Sequence, residues 1–247
     1  MRLIVFFIAI LTVNQIFSQV INIEKKRQEQ KSSFFGSVNI SFDYERSSKK
    51  LWTSGNNTNL NYRYKSHLIM SFTNWNFTNS GNEKIQNDGY EHLRYNFRPD
   101  SILTPEAFGQ YQFNDLRNIK YRTLGGVGLR IKLFSNDTTN LHMGTSIMYE
   151  ERYFTYQSTG QQHWRLNLYT NINWDITKTL NLSGIIYFQP ALDDFQNHNV
   201  SGEGRFSIQL INRLRLVLSA ELTYETEPPL GLSEFYSKFK SGLFYSF

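Results

Sequence analysis

The 247-residue chain has no cysteine. That excludes disulfides, thiolate nucleophiles and cysteine metal sites, and leaves the backbone hydrogen-bond ladder to hold the fold. After the first residues there is no long apolar run either, because charged or amide side chains interrupt every later one, whereas a spanning helix needs roughly 20 consecutive apolar residues. The five histidines, His67, His92, His142, His163 and His198, are scattered without metal-ligand spacing. The formal net charge of +5 is small and spread along the chain, so there is none of the basic stripe that binds nucleic acid. Gly125 to Gly128 lies inside a strand pattern with no helix after it, which excludes a nucleotide loop and leaves small residues making room, or a bend. The expectation is a protein with no catalytic residues, no cofactor, no metal and no nucleic-acid partner.

What is present begins with an export pattern. Arg2 precedes an apolar run from Leu3 to Val13, which gives way to polar residues before Gln19. This is the order of a secretory signal peptide, with cleavage expected after Ser18. Gln19 to Ser33 is rich in Glu, Lys and Arg with little apolar content after Ile23, and reads as a polar lead-in on the periplasmic side. Residues 1–18, 19–33 and 34–247 are thus expected to be signal, lead-in and one large all-β domain.

That domain is written in period two. Val38, Ile40, Phe42 and Tyr44 alternate with Ser37, Asn39, Ser41 and Asp43, and Tyr121, Thr123, Val127, Leu129, Ile131 and Leu133 oppose Arg122, Gly126, Gly128, Arg130 and Lys132. Such alternation predicts strands with one apolar and one polar face. One segment fits poorly: Leu68, Met70 and Phe72 are read as an apolar outer face, although Ile69, Trp75 and Phe77 fall on the other. The mean hydropathy of -0.47 is polar, yet aromatics make up 16% of the chain, as expected where lipid-facing and lumen-facing residues alternate between aromatic girdles.

The last strand ends in Phe239, Leu243, Tyr245 and Phe247 on one face, resembling the signal by which bacterial outer-membrane barrels are recognised by the assembly machinery and inserted. The pattern predicts a single antiparallel up-and-down transmembrane β-barrel of about twelve strands, in outer-membrane lipid. Connections read as long (Ser47 to Asn57, Asn79 to Asp88, Thr155 to Gln162, Ala191 to Asn199, Thr226 to Glu234) alternate with short ones. Since outer-membrane barrels have short periplasmic turns, both termini are expected on that side.

The order and spacing of His92 to Phe97 (HLRYNF), Tyr121 to Leu133 (YRTLGGVGLRIKL), Tyr149 to Tyr153 (YEERY), Tyr187 to Phe195 (YFQPALDDF), the Pro228 to Gly231 turn and the terminal GLFYSF resemble the YdiY-like, salt-induced outer-membrane proteins. The resemblance covers most of the mature chain. It implies a porin-like barrel associated with salt or envelope stress, with no established reaction. The amide- and aromatic-rich style suits a Bacteroidetes-type Gram-negative bacterium.

Chemistry can concentrate only on the inward face. Its basic members are Arg63, Lys65, Arg94, Arg122, Arg130, Lys132, Arg152, Arg165, Arg205, Arg213, Arg215, Lys238 and Lys240, against Glu106, Glu150, Asp175, Glu203, Glu221 and Glu225. One expectation is a narrow passive channel that favours anions or small acidic solutes, since rings of Arg and Lys select that way. The opposing one is that these charges pair across the lumen and plug it, leaving a structural role. Adjacent strand residues point to opposite faces, so Glu150 and Glu151 cannot share a proton. Glu150 with Arg152 reads as an ion pair, and Asp193 with Asp194 as loop carboxylates. Two other functions compete. An enzyme acting on lipid or lipopolysaccharide is opposed by the separation of His142 from Ser146, about 13 Å at the backbone for two steps along one strand face. A surface adhesion role would fall to the outer loops.

Overall fold

The computed structural model describes residues 33–46, 50–157 and 159–245. The expected signal peptide, nearly all of the lead-in, and Phe247 of the terminal signal lie outside the described residues. The described chain forms twelve strands: β1 (Phe34–Arg46), β2 (Lys50–Tyr64), β3 (His67–Ser80), β4 (Glu83–Phe97), β5 (Leu103–Asn114), β6 (Ile119–Ser135), β7 (Thr139–Phe154), β8 (Gln161–Asp175), β9 (Leu180–Pro190), β10 (His198–Ile211), β11 (Leu214–Glu225) and β12 (Phe235–Tyr245). One 3-10 turn, Asp115–Arg117, joins β5 to β6.

Each strand pairs antiparallel with its sequence neighbours, in the order β1 to β12. Nothing crosses over, so the sheet is an up-and-down meander. Hydrogen bonds across its interior show that the sheet curls into a barrel: Arg152 of β7 reaches Glu225 of β11, and Tyr169 of β8 reaches Glu106 of β5. β1 and β12 end the hydrogen-bonded order, and the described residues carry no ladder between them. Twelve strands bring Phe34 and Tyr245 to the same end of the barrel, called here the terminal end; the opposite end is the far end.

Period-two sequence becomes an outer belt and an inner lining. Ile40, Phe42, Tyr111, Val127, Ile147, Trp164, Ile186, Leu218 and Leu243 are exposed on the outside, where a soluble protein would not leave so continuous an apolar surface and where lipid suits it. On the inside, Asn61, Arg94, Glu106, Glu150, Arg165 and Asn167 are buried. Register breaks at Lys132/Phe134 in β6 and Gln209/Ile211 in β10; beyond the first, Leu133 and Phe134 are both exposed.

Two connections expected to be long are mostly strand. β2 begins at Lys50, so 50–57 is ladder, with Arg46 opposite Lys50. β3 and β4 run on to Ser80 and Glu83, and their turn is tight because Gly81 takes φ 63, which glycine adopts at no steric cost. Amides that read as loop composition are ladder residues bonded along their strands: Asn56 accepts from Thr58 (2.8 Å), and Gln86 donates to Asp88 (2.5 Å).

β3 also corrects the expected faces. Leu68, Met70 and Phe72 point inward and pack with Tyr90 as a buried cluster, while Ile69 and Trp75 are exposed outside. Period two made both faces of this strand apolar, and alternation alone cannot rank two apolar faces.

Candidate functional site

The far half of the lumen is built around Glu150, near the far end of β7. Three neighbouring strands bring it three guanidiniums: Arg122 (β6) and Arg165 (β8) each donate through Nε, and Arg152 through Nη2 at 3.0 Å. Arg122 and Arg165 reach it because their strands flank β7, with Glu150 opposite Leu124 and His163. Arg152 lies two residues on, hence on the same face. Its Nη1 spans the lumen to Glu225 of β11 at 2.9 Å, and Arg117, from the turn after β5, donates to the other oxygen of Glu225 at 3.0 Å.

Four arginines thus share two carboxylates, an excess of cation that is met by other means. Arg117 lies over the ring of Tyr236 at 5.4 Å and Arg152 over Phe154 at 5.9 Å, distances at which a ring face attracts a guanidinium. Arg165 turns its remaining donors on the end of β9 and the loop after it, reaching the Gln189 carbonyl (3.1 Å), the Asn197 carbonyl (3.3 Å) and the Asn197 side chain (2.9 Å). That loop, 191–197, folds against β8: Leu192 N donates to the Trp164 carbonyl at 2.7 Å, and Ala191 and Asn197 are buried. A cap on the barrel mouth is therefore tied to the charge network beneath it.

Nearer the terminal end is a second cluster. Glu106 of β5 accepts from Arg94 (3.1 Å), Asn96 (3.2 Å) and, from across the lumen, Tyr169 (3.0 Å). Arg94 also stacks over Phe108 at 5.1 Å, and Phe108, His92 and Phe72 form a line of ring contacts. Room for Tyr169 comes from Gly144, where a Cβ would sit 2.1 Å from the Tyr169 ring. Gly128 allows a close approach of another kind, since its Cβ would meet the Thr145 carbonyl at 2.2 Å. The glycine run in β6 is therefore close inter-strand packing.

The expected lumen residues are thus divided. Arg122, Glu150, Arg152 and Arg165 meet in one network, and Arg94 meets Glu106. Glu221 faces Lys240 at 3.7 Å, and Glu203 lies within electrostatic reach of Arg205. Arg130, Arg205 and Arg215 belong elsewhere, to a cavity of about 710 Å³ at the terminal end. Along the lumen the space narrows to a cavity of about 60 Å³ beside Arg94 and Arg122. Phe239, Leu243 and Tyr245 share the exposed outer face of β12.

Sequence reasoning assigned no partner to Glu225 and overlooked Arg117, Tyr169 and Asn197. Arg117 carried no signal, since it sits in a turn outside any alternation. Asp193 and Asp194 are loop residues; Asp194 accepts from Gln196 N at 2.9 Å, and Asp193 lies 3.8 Å from His163. Ser146 and His142 share the inner face, and Ser146 accepts from Asn167 at 2.9 Å. Among the described residues no three His, Asp or Glu converge as a metal site.

An up-and-down meander of twelve strands, apolar outside and charged inside, defines a transmembrane β-barrel of the outer-membrane type. Residues 37–247 match a family model described as "Protein of unknown function, DUF481", and the chain belongs to that family, the YdiY-like outer-membrane barrels. Among solved structures it is similar to the NanC porin in a rhombohedral crystal form, with 8% identity and a TM-score of 0.47 over 79% of this chain and 94% of that one. No curated protein sequence matches the chain.

Proposed function

We propose that the protein is a non-catalytic structural component of the outer membrane, with both termini periplasmic and a lumen closed to ions in its resting state. The supporting observation is the network that joins Arg122, Glu150, Arg152 and Arg165 to Glu225 and Arg117 across the far half of the barrel, under the 191–197 cap. Water and small ions need a continuous open path, and here the charged side chains of the far half pair with one another across it. Breaking one member leaves the others buried and uncompensated, which is why such a network resists opening. The surrounding lipid and, during insertion, the barrel-assembly machinery are its partners under this reading.

The terminal end is taken as periplasmic because it carries five short connections, from two residues between β2 and β3 to five between β4 and β5, against seven and nine residues in the longest at the far end, after β9 and β11. Conductance of the refolded protein in a planar lipid bilayer tests the closed lumen: a folded barrel that passes no current supports it, and discrete steps at modest voltage would replace it with a channel. Incubation with phospholipid tests the non-catalytic part. Sustained fatty-acid release abolished by His142→Ala would establish an enzyme instead.

A further inference from the structure

The charges of the lumen are sorted along the barrel axis. Glu106, Glu150 and Glu225 are engaged by arginines in the middle and far parts. The cavity at the terminal end is lined instead by Arg63, Arg130, Lys132, Lys178, Arg205 and Arg215, with Asp100 and Asp175 as its only carboxylates among the described residues. Asp100 is held by Arg63, and Asp175 accepts from Asn181 at 2.8 Å. Arg205 of β10 and Arg215 of β11 make no ion pair or side-chain hydrogen bond among the described residues; Arg205 lies within electrostatic reach of both the Glu203 carboxylate and Arg215. Two neighbouring guanidiniums with one carboxylate in electrostatic reach leave positive charge in excess at this end of the lumen. They suit a bound anion, whose oxygens a guanidinium fork can meet in pairs.

The rest of the lining narrows the choice of ligand. Asn171, Asn173, Asn181, Ser183, Ser207 and Gln209 supply amides and hydroxyls, both donors and acceptors. A volume of about 710 Å³ falls within the roughly 300–1,000 Å³ usual for small-molecule sites. We infer that the terminal-end cavity is a binding site for a small, hydrophilic, multiply charged anion bearing phosphate or carboxylate groups, with Arg205 and Arg215 as its principal contacts. The site opens towards the compartment that holds the chain ends, and it does not depend on whether the lumen conducts.

The test is isothermal titration of the full-length mature protein, refolded in a non-ionic detergent, with pyrophosphate and separately with citrate. Sucrose serves as the neutral control. The expected result is saturable binding of one or both anions and none of sucrose, with affinity at least tenfold weaker in the double variant Arg205→Gln/Arg215→Gln. Lys84→Gln, at the far end and outside this cavity, should bind as the parent does. Binding of pyrophosphate alone identifies a phosphate site, and binding of citrate alone a carboxylate site. Absence of binding by either anion, or equal affinity in the double variant, overturns the inference. Because Arg205 and Arg215 make no ion pair or side-chain hydrogen bond among the described residues, the double variant should refold; circular dichroism and heat-dependent gel mobility check this. If it does not, Arg215→Gln alone, an exposed position, reads the same loss.

Discussion

Glu150 takes three guanidinium donors while only 1% exposed, so neutralising it should cost more than any single hydrogen bond. Glu150→Gln keeps the shape and removes the charge, leaving Arg122, Arg152 and Arg165 buried against each other. Losing one partner of a buried ion pair typically costs about 3–5 kcal/mol, and we expect a loss of that order in urea unfolding from lipid vesicles. A loss under about 1 kcal/mol, the worth of a solvated surface pair, would mean that water reaches the network. Gly144 offers a second test. A methyl there meets the Tyr169 ring, so Gly144→Ala should cost about 1–3 kcal/mol by overpacking. In a Tyr169→Ala background most of that cost should vanish, and additive effects would show that the two do not touch. Sequence placed Glu150, Arg122, Arg152 and Arg165 on one face by parity. It did not reveal the need for Gly144, since a glycine that makes room looks like one that bends a strand.

β7 shows what an element contributes. Its even-numbered residues from His142 to Phe154 line the lumen, and Met143, Ile147 and Tyr149 face outward. Ile147 lies near the middle of the strand and is 51% exposed, so it should meet lipid well inside the membrane. Ile147→Lys should therefore cost about 2–4 kcal/mol in vesicles, as a lysine near the bilayer midplane does, whereas detergent unfolding should show less. Equal small losses in both media would place Ile147 outside the hydrocarbon. This face was legible because its alternation pits apolar against polar residues. β3 was not, because Leu68, Met70 and Phe72 inside and Ile69, Trp75 and Phe77 outside give two apolar faces. The strand ends near Lys50 and Ser80 were hidden by composition: an asparagine ladder inside a barrel uses the residues that elsewhere make loops. The cap is also an element-scale device. Asn197→Ala removes a side-chain bond to Arg165, and bonds to charged groups are worth about 1.5–3 kcal/mol. Its loss should show as earlier proteolysis within 191–197 of an otherwise folded barrel, and unchanged cleavage would detach the cap from the network.

At the scale of the whole molecule, alternation determines which strands are neighbours and which side chains point inward, and so made the strand number and the barrel legible. It carries no information about which inward residues meet across the lumen. Glu225 and Arg117 are 108 residues apart, and Glu106 and Tyr169 are 63 apart; both pairs depend on how the sheet curls, which no local pattern encodes. For the same reason sequence left an open and a plugged lumen as equal topologies. The distinction rests on where the charges go: paired and buried towards the far end, and without an ion pair among the described residues at Arg205 and Arg215 towards the terminal end. Single-channel recording of the refolded protein in a planar bilayer tests this most directly, with the parent chain and Glu150→Gln measured side by side. The account predicts no current through the parent at modest voltage and intermittent openings in Glu150→Gln, whose network has lost its central carboxylate. Stable, voltage-independent conductance in the parent would contradict the closed lumen outright.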